Sequence, residues 1–431
     1  MQNLNNKKPT KFIYMGDPQP SRLNGDGPDY SLWGKLLRMA TEKAYGCGNP
    51  EDGLLLLGGD LVNRGNRREE WEAFFEEGGD LLDNMKVASP ESFFSFDYGC
   101  CHFLVVNSEY MGTRRKEAYK FIGNWIRDDL QESDMPVTFM LMHHPMFDVG
   151  TSFNDKVTAQ TMRDNYLRLL TKNKVDFILC GHQHLYCRRK AQDGLVQLMG
   201  VSGTKYFPGW ELEEMDFAME NESVATVFEV TDDEIRLETI DSGGAVIDTF
   251  TGAVNEKPKK DCTKCPRYET CKGLKDSAGP GSLPLDELEK LMAPDRSEGT
   301  VLTVRGEKRR RFTGDELAGL IREEHEYSVM RRGRLAFERF SGIRLADILD
   351  AAGAEAGSES TILFTNSRGM VRALKAGEIL TAGRYSEDGE LTEQLPAIIT
   401  DEMQLIFGQR DAGQYNGSQW VKEIGEIEII Q

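Results

Sequence analysis

The chain has 431 residues and a formal net charge of −19, from 52 Lys and Arg against 71 Asp and Glu. It is too long for one ordinary hydrophobic core, so we expect two domains and a connector. The acidic balance argues against a nucleic-acid partner bound by bulk electrostatics.

The N-terminal residues 1–17 contain no apolar segment of the kind that begins a secreted protein. No apolar run in the sequence is long enough to span a bilayer. The eight cysteines are scattered or loosely clustered, unlike a dense disulfide framework. The sequence therefore predicts a cytoplasmic protein with reduced thiols and no membrane partner.

The first part of the chain alternates short apolar runs with helical patterns. Five runs are apolar enough to predict strands buried on both faces: 11–16, 53–59, 101–107, 137–143 and 175–181. Helical spacing of apolar residues predicts helices over 68–85, 116–131 and 158–173. A hairpin is predicted around "DYG" and antiparallel strands over 223–251. The expected fold class is α/β, a β-sandwich flanked by helices.

The apolar pattern stops at residues 253–283, which are rich in Lys, Pro, Gly and Ser and predict a linker. After it, residues 284–431 predict an α+β domain. Its expected strands lie at 300–306, 360–366, 395–400 and 420–430, and its expected helices at 314–325 and 345–353. The predicted domain boundaries are thus 10–252, 253–283 and 284–431.

Polar side chains follow four of the predicted buried strands. The motifs are "GDPQ" after the first strand, "GGDLVNRG" after the second, "MHHP" after the fourth and "GHQH" after the fifth. Ligands of open α/β sheets bind at the carboxyl ends of strands, so we expect these side chains to meet. Their donors, Asp17, Asp60, His143, His182 and His184, suit divalent cations and include no thiolate.

These motifs, in this order and spacing, resemble the calcineurin-like metallophosphoesterases, a family that includes phosphatases and phosphodiesterases. The resemblance covers roughly residues 10–250. It implies that Asp17 and His184 hold one metal, that Asp60 bridges, and that His143 and His182 hold a second metal. The implied cofactors are two divalent ions, Mn, Fe or Zn, which activate hydroxide to attack a phosphoester substrate. His143 and His182 are the predicted catalytic residues.

The chain departs from the family pattern in two places. "DPQ" stands where the family has Asp-x-His or Asp-x-Gly, so Gln19 is expected to ligate through its amide oxygen or not at all. The Gly-Asn-His-Glu/Asp motif of the family is absent, and an internal deletion near 85–92 is the predicted reason. Asn66, Asn84 and Asn107 are weak candidates to replace its asparagine. We therefore expect a weakened second metal site and reduced or absent activity.

Two functions stay open at this point. The first is a metal-dependent phosphoric ester hydrolase, and the alternative is a catalytically inactive scaffold that acts as a binding or regulatory module. Other histidines are interpreted as structural: His144 is expected to point away from His143 along an extended strand, and His102 to be half-buried in the hairpin.

Cys262, Cys265 and Cys271 have a spacing somewhat like that of a metal-binding knuckle. A closed zinc site needs four ligands, and no cysteine follows, so a linker with incidental thiols is the preferred interpretation. Residues 284–431 resemble the molybdopterin-binding domain of the sulfite oxidase type through stretches such as "LTVRGE" and "NGSQWVKEIGEIEI". Because that family binds molybdenum through a cysteine missing here, no molybdenum is expected. The domain is interpreted either as an accessory module for a protein partner or as a degenerate pterin pocket.

Overall fold

The structure is a computed structural model that describes residues 8–21, 27–46, 50–190, 192–257, 281–294, 299–331, 334–386, 390–410 and 420–431. The chain divides into two compact units, Met1–Leu285 and Asp286–Gln431. Cys262, Cys265 and Cys271 lie outside the described residues. None of the described helices is both long and apolar enough to cross a membrane.

The first unit contains two sheets with helices against them. Its strands are β1 (Thr10–Met15), β2 (Leu54–Leu57), β3 (Lys86–Ala88), β4 (Phe94–Tyr98), β5 (Cys101–Val105), β6 (Val137–Leu141), β7 (Phe177–Cys180), β8 (Tyr186–Lys190), β9 (Val196–Met199), β10 (Phe217–Met219), β11 (Val224–Val230), β12 (Glu234–Asp241) and β13 (Val246–Ala253). Its helices are α1 (Ser31–Tyr45), α2 (Arg68–Asn84), α3 (Ser108–Met111), α4 (Lys116–Glu132), α5 (Phe153–Met162) and α6 (Arg168–Lys172), the last two joined by a π-helical turn, Arg163–Leu167.

The two sheets have the strand orders β13-β12-β11-β1-β2-β3 and β10-β8-β9-β7-β6-β5-β4. Residues Phe12 and Tyr14 of β1 pack between the sheets, whereas Ile13 and Met15 pack toward α1 and α2. This alternation explains the unbroken apolar runs, because the central strands are buried on both faces. The predicted fold class, an α/β sandwich flanked by helices with a C-terminal α+β region, is confirmed.

The sheet organisation places the four motifs on two sheets rather than on one. The motifs containing Asp17 and Asp60 follow β1 and β2, which pair in parallel in the first sheet. Those containing His143 and His182 follow β6 and β7, which pair in parallel in the second. Packing of the sheets face to face brings both pairs of strand ends together.

The second unit has sheets of five, four and two strands with a core of its own. Its strands are β14 (Thr300–Arg305), β15 (Arg309–Thr313), β16 (Arg322–Arg331), β17 (Arg334–Arg344), β18 (Thr361–Asn366), β19 (Val371–Lys375), β20 (Gly383–Tyr385), β21 (Leu391–Gln394), β22 (Ile398–Ile399), β23 (Leu405–Ile406) and β24 (Ile424–Ile430). Its helices are α7 (Leu285–Met292), α8 (Gly314–Ala318), α9 (Leu345–Ala352) and α10 (Ala376–Leu380).

Two predicted helices differ from the structure. The helix predicted over 314–325 is wrong beyond Ala318, because residues from Arg322 pair with β17 in a long hairpin. Helix α2 has the predicted extent but is interrupted at Gly79, whose φ of +47° is accessible to glycine at little cost. Gly79 thus interrupts the helical geometry within α2, and Gly319 is the residue that follows the last residue of α8.

Candidate metal centre

The predicted ligands leave their strands at tight turns. Asp17, Asp60, His182 and His184 all have positive φ, at 28°, 46°, 77° and 52°. Side chains other than glycine rarely adopt this region, and residues held there cluster at functional sites. The turns bring the four side chains into one space beyond the ends of both sheets.

The first donor group consists of Asp17, Asp60 and His184, each offering one ligand atom within 4.8 Å of the others. Gln19 lies among them. Its side-chain nitrogen donates to Asp60 Oδ2 at 2.6 Å and lies 3.1 Å from His184 Nε2. The amide of Gln19 therefore contacts two of the three predicted ligands of the first metal.

The second donor group consists of His143, His144 and His182, with the same 4.8 Å limit. His143 Nε2 lies 3.3 Å from His182 Nδ1 and 3.8 Å from Asp60 Oδ1. Asp60 is thus a member of the first group that also faces the second group through Oδ1, while Oδ2 accepts from Gln19. This is the position that a carboxylate shared by two cations must have.

Each of the three predicted imidazole ligands uses one nitrogen to contact the surrounding protein. His143 Nδ1 donates to the carbonyl of Gly58 at 2.9 Å, and His184 Nδ1 donates to the carbonyl of Lys205 at 2.7 Å. His182 Nε2 pairs with Asp155 Oδ2 at 3.1 Å. Such partners fix the ring orientation and tautomer and leave the other nitrogen for a metal.

Burial favours the neutral form of two imidazoles. It lowers the pKa of His143, and it lowers that of His184 to about 4, with the positive charge of Lys205 acting in the same direction. Burial also acts to lower the pKa of His182, but the hydrogen bond and charge of Asp155 outweigh it, so the pKa is raised. Neutral imidazole is the form that binds metal.

The burial and hydrogen bonding of Asp17 indicate whether a cation fits this site. The residue is fully buried, Oδ2 accepts from the His182 amide at 2.6 Å, and Oδ1 has no hydrogen-bond partner. Burial and the neighbouring Asp60 raise the pKa of Asp17 well above its usual range. A divalent cation would supply the missing partner and offset the repulsion between the two carboxylates, so the donor set fits such an ion.

Two glycines keep the donors at these distances. A Cβ on Gly181 would lie 2.6 Å from Asp17 Oδ1, and a Cβ on Gly59 would lie 2.5 Å from His143 Nδ1. Gly59 also has a φ of +100°. The glycines of the "GGD" and "GHQH" motifs are therefore required by close approach of the backbone to the ligands.

Comparison with protein families finds a match to part of the first unit. Residues 79–186 match the family model described as calcineurin-like phosphoesterase. This segment is similar to that family. The matched segment includes His143, His182 and His184, whereas Asp17 and Asp60 precede it. No curated protein sequence matches the chain significantly.

Solved structures similar to part of this chain share little sequence with it. One is GAP50, described as the anchor in the inner membrane complex of Plasmodium, with 16% identity over 61% of this chain and 95% of that chain, and a TM-score of 0.41. A dimetal phosphatase from Danio rerio has 9% identity over 57% and 100%, with a TM-score of 0.36. Vps29 of Entamoeba histolytica complexed with zinc has 12% identity over 57% and 99%, with a TM-score of 0.29. These similarities concern the fold alone.

The expected orientation of His144 is wrong. Strand β6 ends at Leu141, so the alternation of an extended strand does not apply. The His144 ring lies 4.2 Å from that of His182. Ser108 Oγ accepts from the His144 amide at 2.8 Å and lies 3.0 Å from His144 Nδ1. Ser108 therefore holds His144 beside the other histidines of the second donor group.

Sequence reasoning also missed two carboxylates of the first unit. Asp155 pairs with His182, and Glu109 Oε1 lies 3.5 Å from His144 Nε2. Both stand in the first turn of a helix, where an acidic residue is usually explained by the helix dipole. The local pattern therefore offers no signal that either one faces the histidine cluster.

Two of the three candidate replacements for the missing asparagine have other partners. Asn107 caps α3 by accepting from the Glu109 amide, and its side chain donates to the carbonyl of Glu91. Asn84 donates to the carbonyl of Asp80. The third candidate, Asn66, is exposed. Strands β3 and β4 are joined by residues 89–93, which include neither asparagine nor histidine.

Proposed function

We propose that the first unit is a calcineurin-like phosphoesterase domain that hydrolyses phosphomonoesters or phosphodiesters with divalent cations, Mn, Fe or Zn, as cofactors. One observation carries the proposal: Asp60 belongs to the first donor group, and its Oδ1 lies 3.8 Å from His143 Nε2 of the second. Two independent metal sites with purely structural roles would not require a carboxylate that both sites share. The observation supports a centre in which one residue serves two cations.

The residues divide between two sites in this proposal. Asp17, Gln19, Asp60 and His184 would hold the first ion, with Gln19 contributing its amide oxygen. Asp60, His143 and His182 would hold the second. Ions held there would supply Lewis acidity at the phosphoryl oxygens and would lower the pKa of water. The second site has fewer ligands because residues 89–93, which join β3 and β4, contain no asparagine to replace that of the family motif, so we expect it to bind more weakly.

The protein's own groups have defined tasks in this mechanism. Gly58 and Asp155 orient the rings of His143 and His182 so that their other nitrogens converge. His144 contacts Ser108 through its amide and Nδ1, and its ring lies beside that of His182. A protonated ring nitrogen of His144 would be a hydrogen-bond donor to a phosphoryl oxygen, and donors aimed at developing charge contribute about 10²–10³ in rate when they are correctly placed.

Metal-stripped protein should gain phosphatase or phosphodiesterase activity when Mn²⁺ is restored, measured with p-nitrophenyl phosphate and bis-p-nitrophenyl phosphate. Asp60→Asn should lower kcat/KM more than about 100-fold, since changing even a group behind a metal ligand costs 10–100-fold. Asp80→Asn changes an exposed aspartate of α2 in the same way and should leave the rate unaltered. Equal and negligible rates for wild type and Asp60→Asn would contradict the proposal.

The alternative function is a scaffold without catalysis that binds a partner. One observation favours it: the Gln19 side-chain nitrogen donates to Asp60 and lies against His184, so Gln19 fills the space between two ligands of the first ion. A domain that keeps its fold but binds no second ion would retain its surface for protein binding. The hydrolysis assay separates the two functions.

We also infer that the second unit is a molybdopterin-binding-like module without molybdenum, used for a protein partner. Its strands pack around an apolar core that includes Val304, Phe364 and Ile427. No cysteine occurs after Cys271. Metal analysis of the purified full chain by mass spectrometry should find no stoichiometric molybdenum, and one equivalent would contradict this inference. The cytoplasmic location stays a prediction.

A further inference from the structure

The loop that follows β9 is held against the candidate ligands. The Gly203 amide donates to the carbonyl of Asp17 at 2.9 Å, and the Phe207 amide donates to the carbonyl of His184 at 3.4 Å. The Lys205 carbonyl accepts from His184 Nδ1, and the Trp210 amide donates to the carbonyl of Val149 at 2.6 Å. Residues 203–210 therefore have a position fixed by the same residues that build the metal centre.

This fixed loop holds two large aromatic side chains in solvent. Phe207 is 45% exposed and Trp210 is 55% exposed. The Phe207 ring also contacts the ring of His184, with 4.8 Å between centroids. Exposed apolar surface contributes no burial energy, so large aromatic residues on a fixed loop beside a candidate site indicate a surface that a ligand covers.

Two lysines lie with these rings. Lys205 Nζ is 5.3 Å from the centroid of Phe207, and Lys156 Nζ is 5.4 Å from the ring centroid of Trp210. Lys156 directly follows Asp155, the partner of His182. In a chain with a net charge of −19, two ammonium groups beside the candidate ligands favour an anionic ligand.

We propose that Phe207 and Trp210 form a binding subsite for an aromatic ring carried by a phosphoester, with Lys156 and Lys205 attracting its negative charge. The inference rests on the proposed function and names its substrate class. The ring is either the base of a nucleotide or the aryl group of an aryl ester. Both have a π-face that stacks on aromatic side chains, an interaction that tolerates differences between rings.

Binding of matched, non-reacting ligands to the Mn²⁺-loaded full chain tests the subsite by calorimetry. One pair is phenylphosphonate and methylphosphonate, and the other is the phosphonate analogues of adenosine monophosphate and ribose 5-phosphate, in which a CH₂ group replaces the ester oxygen. At least one aromatic member should bind about tenfold more tightly than its partner, in line with stacking on an aromatic side chain. The pair that shows the preference identifies the source of the ring.

Substitutions of the two aromatic residues show whether the preference for aromatic ligands depends on the loop 203–210. Trp210→Ala and Phe207→Leu should each reduce the preference at least threefold and together abolish it, with the affinity for methylphosphonate or for the phosphonate analogue of ribose 5-phosphate unaltered. Phe75→Ala removes another exposed ring, in α2, and should have no effect. The subsite is overturned by equal affinities within both pairs, by absence of binding, or by a preference that survives both substitutions. Because binding is measured, loss of hydrolysis alone would count against the proposed function and not against the subsite.

Discussion

Asp17→Asn is expected to abolish the thermal stabilisation that Mn²⁺ gives the protein. A divalent ion present at 100 times its dissociation constant stabilises a folded protein by about 2.7 kcal/mol, which raises Tm by several degrees. Asp17 is fully buried with Oδ1 lacking a partner, so its charge contributes strongly to cation binding. Asparagine has the same shape without the charge, and scanning calorimetry with and without Mn²⁺ measures the difference.

The same substitution should not destabilise the metal-free protein. Burial and Asp60 raise the pKa of Asp17, so the folded state binds its proton more tightly than the unfolded state. Metal-free wild type should therefore lose stability as pH rises above the ordinary carboxyl range, and Asp17→Asn should lack this loss. Asp80→Asn should retain the full Mn²⁺ shift. A metal-free Asp17→Asn protein that unfolds well below wild type at neutral pH would contradict this account of Asp17.

His102→Ala is expected to destabilise the first unit by about 3–5 kcal/mol, the usual result of leaving a buried charge without its partner. His102 is buried between two carboxylates, with Nδ1 2.7 Å from Asp97 Oδ1 and Nε2 2.8 Å from Asp129 Oδ2. Asp129 has almost no exposed surface, whereas Asp97 is about half exposed. Urea unfolding of the full chain measures the loss.

Unfolding of matched variants, measured over a range of pH, distinguishes the contribution of the His102 charge to stability from that of its packing. Asp97→Asn should cost less than about 1 kcal/mol, because the carboxylate is partly solvated. Replacing His102 and Asp129 together by leucine should recover most of the stability. Burial opposes the charge of His102, but Asp129 and Asp97 outweigh it and raise its pKa. Its stabilisation is therefore complete below the pKa of unfolded histidine and falls as pH rises through the folded pKa. A loss independent of pH would contradict this sign.

Local sequence is enough to establish which residues stand at the ends of the buried strands. Apolar runs such as 53–59 and 175–181 are set by local composition, and the polar residue after each run marks the strand end. Asp60 and His182 are therefore identifiable from the sequence alone. The glycines beside them mark tight turns. That these residues bind metal stays a prediction, supported by the geometry of Asp60 and the unpartnered oxygen of Asp17.

Which side chains meet at the site depends on how distant elements pack. The strands carrying Asp17 and His143 belong to different sheets, and face-to-face packing joins them. Asp155 and Glu109 come from helix starts distant in sequence, and His144 turns inward because β6 ends before it. The end of the helix predicted over 314–325 is likewise replaced by a strand, because residues from Arg322 pair with the distant strand β17. The spacing of residues within one segment predicts which face of a helix or strand a side chain occupies. Contacts between elements depend on strand pairing and side-chain packing between distant segments, so one segment alone does not determine them.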